Sequence, residues 1–422
     1  MKLRLTAEMR AALPIIETLQ SGGYEAVFVG GAVRDAVLGL PVHDIDIATS
    51  ALPEQTMSLF PKSIPTGLQH GTVTVVHQRM TYEITTYRTE TEYEAYRKPK
   101  GVVFIDRLDE DLLRRDFTIN AMAIRASGEL YDPYGGLSDL ERNILRCVGN
   151  ADLRFQEDAL RMVRAVRFIG AFSLKPAPSA WRSLKRHGAL LRHVAMERVQ
   201  AELDKMMGCK TPERSLIWLR ASGLLSFLKE PISEGLLGKL RTESPRLELR
   251  GLSQLDERWA SVFLAFHCKK EEAEALLLSL RFPNKRIGQI VSIMQLHDWM
   301  MASAQVALQE AWICGVLRFG QATAHSYLNI AQTLEQPSGR LTAEEAEQRH
   351  AILTNMPAKT LKELAVGGSE LQRALDRKGG PWMSGMLTRL LQAVALGLLP
   401  NTKDKLLEQA KIWNEEGMND EH

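Results

Sequence analysis

The chain has 422 residues, too many for a single hydrophobic core, so two or more domains are expected. Its 45% hydrophobic and 25% charged residues are those of an ordinary globular protein, which excludes a disordered, collagenous or low-complexity chain. A net charge of +2 excludes binding of a polyanion through global charge, leaving local clusters of Lys and Arg to do so.

The N-terminal segment MKLRLTAEMRAALPIIETLQ has polar residues throughout and no uninterrupted apolar run, so it does not read as a signal peptide, and no stretch reaches the length of a membrane span. Cys147, Cys209, Cys268 and Cys314 are scattered without pairing or metal-ligand spacing, as expected of reduced thiols in a cytoplasmic protein. A first helix is predicted over Ala7–Gln20, ending at Gly22-Gly23, followed by a strand over Ala26–Val29. In Phe28-Val29-Gly30-Gly31-Ala32-Val33-Arg34-Asp35 that strand meets a tight Gly-Gly turn and a helix start near Ala32. The glycines would let a phosphate approach the backbone, with free helix N–H groups pointing at it.

The next strand, His43-Asp44-Ile45-Asp46-Ile47, alternates so that Asp44 and Asp46 share one face while Ile45 and Ile47 enter the core. Neighbouring carboxylates repel unless a cation sits between them, which makes Asp44 and Asp46 candidate metal ligands. Alone, Gly-Gly is also plain turn chemistry and Asp-x-Asp a solvated strand end. Together they suggest metal-assisted phosphoryl or nucleotidyl transfer. The alternating runs Thr72–Val76 and Thr81–Tyr87, joined through Gln78-Arg79-Met80, predict a hairpin. Within it Glu83 faces opposite to Tyr82 and Ile84, as a third carboxylate of the site or as an exposed strand residue. Sequential strands with few helices between them predict an α+β sheet, antiparallel or mixed, rather than a Rossmann fold.

Arg114–Ala123 reads as a capped helix with Phe117, Ala121 and Ile124 at core spacing. Asp132-Pro133-Tyr134-Gly135-Gly136 is a turn whose glycines supply backbone freedom. From Arg154 onward only helical periodicity is found, so this part is expected to be all-α, with joints near Gly208–Pro212, Phe282-Pro283 and Glu335–Arg349. In Glu157–Phe168, Asp158 and Arg161 stand three apart and would project side by side from one helical face; a solvated face of alternating charge is the plainer account. An acceptor beside a donor matches the amino group and ring nitrogen of cytosine and adenine, whereas uracil and guanine would place acceptor against acceptor. In Ala195–Leu203, Glu197 and Arg198 read as structural, with Leu203, Met206 and Met207 in the core. His297-Asp298 lacks the further ligands of a metal-dependent HD phosphohydrolase.

The segments GGAVRD with DIDIA, RRDFTINAMA, DPYGG, EDALRMVRAVRF and AMERVQAEL resemble, in order, the five motifs of the class II tRNA nucleotidyltransferase/poly(A) polymerase family. The wording is similar to its Gram-positive CCA-adding branch. The resemblance implies a polymerase β-like catalytic head over 1–150, a helical neck over 151–210, a body over 211–300 and a tRNA-binding tail over 301–422. It implies addition of C, C and A to the 3′ end of tRNA from CTP and ATP, without a nucleic-acid template, with two magnesium ions on Asp44 and Asp46. Gly31 would lie under the triphosphate with Arg34 reaching it, and Arg115 would contact the nucleotide. Asp116 and Asn120 would read the ribose. Asp158 and Arg161 would read the base, Glu157 would hold Arg161, and Arg164 and Arg167 would contact the nucleotide.

Poly(A) polymerases share these motifs but commonly carry a basic C-terminal extension, where this chain has Trp413-Asn414-Glu415-Glu416 and an acidic finish. CC-adding enzymes lack a loop that Thr89–Gly101 supplies here. An A-adding enzyme stays open, and an inactive RNA-binding relative would be expected to have lost Asp44 or Asp46. Leu364–Ser369 and Gly379–Trp382 resemble a tail element, with Ser369 where Asp is common. A homodimer is left open; no membrane is implied.

Overall fold

A seven-stranded mixed sheet organises the first part of the molecule, with β1 (Ala26–Val29), β2 (Asp46–Thr49), β3 (Ser63–Gly67), β4 (Thr72–His77), β5 (Met80–Thr86), β6 (Ala123–Ile124) and β7 (Leu130–Tyr131) in the order β7-β6-β1-β2-β5-β4-β3. The computed structural model describes residues 1–90, 93–94, 98–99, 101–303, 307–335 and 339–419. The chain forms two compact units, Met1–Leu237 and Gly238–His422.

In the first unit the Ala7–Ser21 helix starts at Thr6, whose hydroxyl accepts from the Met9 amide, and its stripe of Met9, Ala12, Ile15, Ile16 and Leu19 is fully buried. All four residues of β1 are buried, as suits a central strand covered on both faces. The predicted hairpin forms: β4 and β5 pair antiparallel from His77↔Met80, with Gln78 and Arg79 both at positive φ, the backbone a two-residue hairpin turn needs. β2 and β5 run parallel, and their register sets Asp46 beside Glu83. This one parallel pair makes the sheet mixed. Strand pairing of Arg88–Glu90 with Val102–Phe104 and of Tyr93–Glu94 with Lys98–Pro99 brackets the Thr89–Gly101 loop, much of which lies outside the described residues.

Three expectations are corrected. Arg114–Ala123 is not a helix: the Leu108–Leu113 helix stops, Phe117 is extended and bridges Cys147, and a single 3₁₀ turn covers Thr118–Asn120. Phe117, Ile119, Ala121 and Met122 are all fully buried, so the segment threads the core instead of presenting one face to it. Lys175–Pro176 pairs with Ile144–Leu145, a parallel ladder too short to leave a periodicity in the otherwise helical region. Of the expected joint Glu335–Arg349, residues 336–338 lie outside the described residues, and from Ala343 onward it is helix. Thr342 and Glu345 form a capping box that starts the Ala343–Asn355 helix.

The second unit is helical, with one core around Trp312, Tyr327 and Leu353 and another around Leu371, Leu390, Val394 and Leu406. No described helix is long and apolar enough to cross a membrane.

The two glycines of the Asp132–Gly136 turn are needed for different reasons. Gly135 sits at φ 73°, whereas at Gly136 a Cβ would fall 2.2 Å from the Thr118 carbonyl oxygen. Gly136→Ala should therefore cost about 1–3 kcal/mol through overpacking, and Gly135→Ala roughly 1–2 kcal/mol through its left-handed backbone. Thermal melts of both variants test this; an unchanged midpoint for Gly136→Ala would show that the turn has room to give.

Candidate active site

The turn between β1 and the Gly31–Val37 helix places Gly30 at φ 71° and ψ −137°, a conformation side chains resist. A Cβ at Gly30 would lie 3.2 Å from Asp46 Oδ2 and 3.4 Å from Arg115 Nη1. The bare glycine thus leaves open the gap between a strand carboxylate and an arginine. Asp46 begins β2 half-buried, while Asp44 precedes the strand and is exposed, so only Asp46 lies within the strand although both line one cavity. Ile45 and Ile47 do enter the core. Burial raises the Asp46 pKa above the usual carboxylate range against the Arg115 charge, and the Glu83 and Asp44 charges push it further up.

Among the described residues no hydrogen bond holds the Asp46 carboxylate, and no three acidic, His or Cys side chains are gathered into a ready-made metal cage. A half-buried carboxylate without a hydrogen-bond donor, raised by two acidic neighbours, is nevertheless a donor set that fits a hard divalent cation.

Asp46 is shared by two cavities. One, of about 590 Å³, is also lined by Gly31, Arg34, Arg115, Asp158, Arg161, Arg164 and Arg167, all of them expected site residues. The other, of about 680 Å³, is lined by Asp44, Asp46 and Glu83 with His43, Met80 and Tyr82. Asp44 and Glu83 therefore reach Asp46 from the side away from the arginines.

Buried acids order the arginine cleft. Asp116, 8% exposed, accepts from Arg164 Nε at 2.7 Å and from the Asn120 amide at 3.0 Å. Asn120 in turn accepts from Arg34 Nη1 at 2.7 Å, and Arg34 also holds Asp35. Burial disfavours the charged form of Asp116, but the Arg164 charge, the Asn120 hydrogen bond and the Arg161 charge outweigh it and hold the carboxyl down at about 2. Glu202, 3% exposed, binds Arg167 Nε at 2.6 Å and lies 3.6 Å from Arg164 Nη1. Asp111, 1% exposed, anchors Arg114 at 2.8 Å and Arg115 at 3.3 Å.

Asp158 and Arg161 meet in the cleft by another route than a shared helical face. The helix breaks between Glu157 and Leu160, leaving Asp158 extended at φ −140°, where its carboxylate accepts from the Leu160 amide. Arg198 clamps that carboxylate at 2.8 and 3.3 Å. Arg161 is fixed by Glu157 at 2.5 Å, as expected, and by the carbonyls of Arg114 and Arg154. Of the pair read as structural, Arg198 braces Asp158 directly, whereas Glu197 is exposed.

Asp111, Arg114 and Glu202 were not anticipated. Glu202 carried a signal, since Val199, Glu202, Leu203 and Met206 form one buried helical stripe and a carboxylate there must be paired. Asp111 and Arg114 carried none.

Comparison with known proteins places these elements in context. The family model of the Poly A polymerase head domain matches residues 26–146, that of the probable RNA and SrmB-binding site of polymerase A matches 173–234, and that of tRNA nucleotidyltransferase domain 2 (putative) matches 251–410. The CCA-adding enzyme of Geobacillus sp. strain WCH70 is 38% identical over 398 residues, covering 94% of this chain and 95% of that protein. That of Geobacillus stearothermophilus is 38% identical over 397 residues, again covering 94% and 95%. The crystal structure of the Bacillus stearothermophilus CCA-adding enzyme in complex with CTP superposes with a TM-score of 0.84 at 34% identity, covering 99% of this chain and 100% of that one.

Because the fold depresses the Asp116 carboxyl, its stabilisation is complete above the ordinary carboxylate range and is lost as pH falls toward 2. The stability gap between the native protein and Asp116→Asn should thus narrow by roughly 1 kcal/mol from pH 5 to pH 3. Urea unfolding at both pH values measures it, and a pH-independent gap would mean that Asp116 is not held as the anion.

Proposed function

The chain belongs to the family of CCA-adding enzymes, and from that premise we propose how its own residues divide the reaction. It is a nucleotidyltransferase that adds C, C and A to the 3′ end of tRNA, with CTP and ATP as substrates. The observation that carries the assignment of residues is that Asp46 forms a wall common to two cavities. The arginine-lined cavity is assigned to the incoming nucleotide and the cavity beside Asp44 and Glu83 to the tRNA end whose 3′-hydroxyl attacks. The two substrates then meet at one carboxylate.

Asp44 and Asp46 would hold magnesium, which supplies positive charge to activate the hydroxyl and to neutralise the departing pyrophosphate. Glu83, set beside Asp46 by the parallel register, is the candidate third carboxylate. Gly31, Arg34, Arg164 and Arg167 are assigned to the phosphates, where forked guanidinium groups match oxygen pairs. Arg115, held by Asp111 and 3.4 Å from the Cβ position of Gly30, is assigned to the nucleotide beside Asp46. Asp116 and Asn120 are assigned to the ribose. Asp158 and Arg161 are assigned to the base edge, the Arg198 clamp and the Glu157 contact fixing their direction in place of a nucleic-acid template. The helical unit from Gly238 onward is assigned to hold tRNA in the cytoplasm.

Incubation with tRNA lacking its 3′ end tests the reading as a whole. CTP alone should add two residues, ATP alone should extend only tRNA that already ends in CC, and both together should stop at CCA. Long A tails, or equal use of poly(A) as acceptor, would overturn it.

Asp44→Ala and Asp46→Ala should each lower turnover by orders of magnitude with tRNA binding nearly intact; near-native turnover in either variant removes it from the metal site.

Asp158→Ala should relax selection against UTP and GTP by roughly ten- to a hundredfold, since a missing buried partner costs on the order of 1–3 kcal/mol. Arg161→Ala should weaken CTP and ATP use together. Catalytic efficiencies for four nucleotides, with melts, decide the matter: an unchanged preference in folded Asp158→Ala would end the base-reading assignment.

A further inference from the structure

Phe168 lies on the Leu160–Ala171 helix, 2% exposed, at the wall of the arginine cleft. Three guanidinium groups lie over its ring: Arg167 at 4.1 Å from the centroid, Arg34 at 5.2 Å and Arg164 at 5.4 Å. Arg34 also lies over Phe172 at 4.5 Å. The ring is itself fixed, with Phe117 edge-on at 5.7 Å and Phe172 stacked at 5.9 Å.

Three like charges around one point need compensation. Asp35, Asp116 and Glu202 supply part of it, but each carboxylate occupies N–H donors and adds negative charge where a triphosphate must bind. An aromatic face attracts a cation through its quadrupole and accepts no N–H in the guanidinium plane. Arg167 shows the result. Among the described residues only its Nε is used, on Glu202, and its two terminal nitrogens keep their N–H groups. Burial pulls the Arg167 pKa down against the Glu202 charge, and the Arg164 and Arg34 charges add to that pull, so this guanidinium feels the crowding directly.

We propose that Phe168 is a positioning residue for nucleotide binding: its ring gathers Arg34, Arg164 and Arg167 within 4.1–5.4 Å of one centroid and holds Arg167 in place without occupying its terminal N–H groups, which stay available to the phosphates. The proposal rests on the assignment of these three arginines to the phosphates. An aliphatic side chain of similar volume would fill the space without the attraction, and the arginines would spread.

The test keeps shape and varies the quadrupole. In the full-length protein Phe168 is replaced by phenylalanines carrying one, two and three ring fluorines, which progressively weaken the π face, and binding of CTP and CMP is titrated. The CTP Kd should rise with each fluorine, reaching roughly tenfold at three, with the CMP Kd and the melting temperature nearly unchanged. Phe168→Leu should raise the KM for CTP similarly with kcat retained, and Phe168→Trp should restore it. Arg167→Ala separates the two layers of the argument. If it weakens CTP binding while the fluorine series is flat, the Phe168 proposal fails and the phosphate assignment stands. If Arg167→Ala leaves CTP binding unchanged, the phosphate assignment fails and the proposal goes with it.

Discussion

Crowding of positive charge is the constraint around which the first unit is arranged. Seven arginines line one cleft: Arg34, Arg114, Arg115, Arg161, Arg164, Arg167 and Arg198. Guanidinium groups this close repel, and burial strengthens the repulsion by lowering the local dielectric. The fold answers with acids that are more buried than the arginines they hold: Asp111 behind the cleft and Asp116 and Glu202 deep in its wall, at 1%, 8% and 3% exposure. Carboxylates at the back and guanidinium groups at the front give a surface that stays cationic toward a ligand although its immediate surroundings are balanced. Removing one acid leaves a buried charge without its partner, which costs far more than an exposed ion pair does.

Each acid also joins segments distant in sequence. Asp116 comes from the irregular stretch before β6 and binds Arg164 on a helix, while Glu202 holds Arg164 and Arg167 from the next helix but two. Asn120 relays the network to Arg34 beside β1. Arg34, Asn120, Asp116, Arg164, Glu202 and Arg167 thus form one connected polar chain that ties the turn after β1 to two helices of the first unit. Such networks rigidify when every member is satisfied, and the Asp116 carboxyl, surrounded by Arg164, Asn120 and the Phe117 amide, comes close to that state.

Much of this was legible before any coordinates. Alternation identified β4 and β5, whose side chains obey a period of two, and a short continuous apolar run identified β1, which is covered on both faces. Several residues that line the cleft were legible as well, since Asp46, Asp158 and Arg161 belong to residue types that ordinary cores avoid. What escaped notice had a common cause. Arg114–Ala123 has helical spacing but is buried on every side, and a periodicity argument cannot see that it is extended at Phe117. The break at Asp158 leaves the apolar spacing of Leu160, Val163 and Phe168 intact, so one helix and two helices look alike. Partners such as Asp111 act across the chain, and no local pattern records them. The Glu83 placement followed from a parallel register between strands more than thirty positions apart, which only the tertiary structure sets.

The walls of the arginine cleft are drawn from Gly30 at one extreme to Glu202 at the other. During synthesis, therefore, a nascent chain can form the β4–β5 hairpin early, from contacts close in sequence, but it cannot close the cleft until the Met196–Gly208 helix has left the ribosome. Until then Arg164 and Arg167 have no Glu202 to settle against. A chain that ends between Asp46 and the Met196–Gly208 helix carries the glycine turn and the strand carboxylate yet lacks the last wall of the cleft. The cleft is therefore complete only when nearly all of the first unit is present.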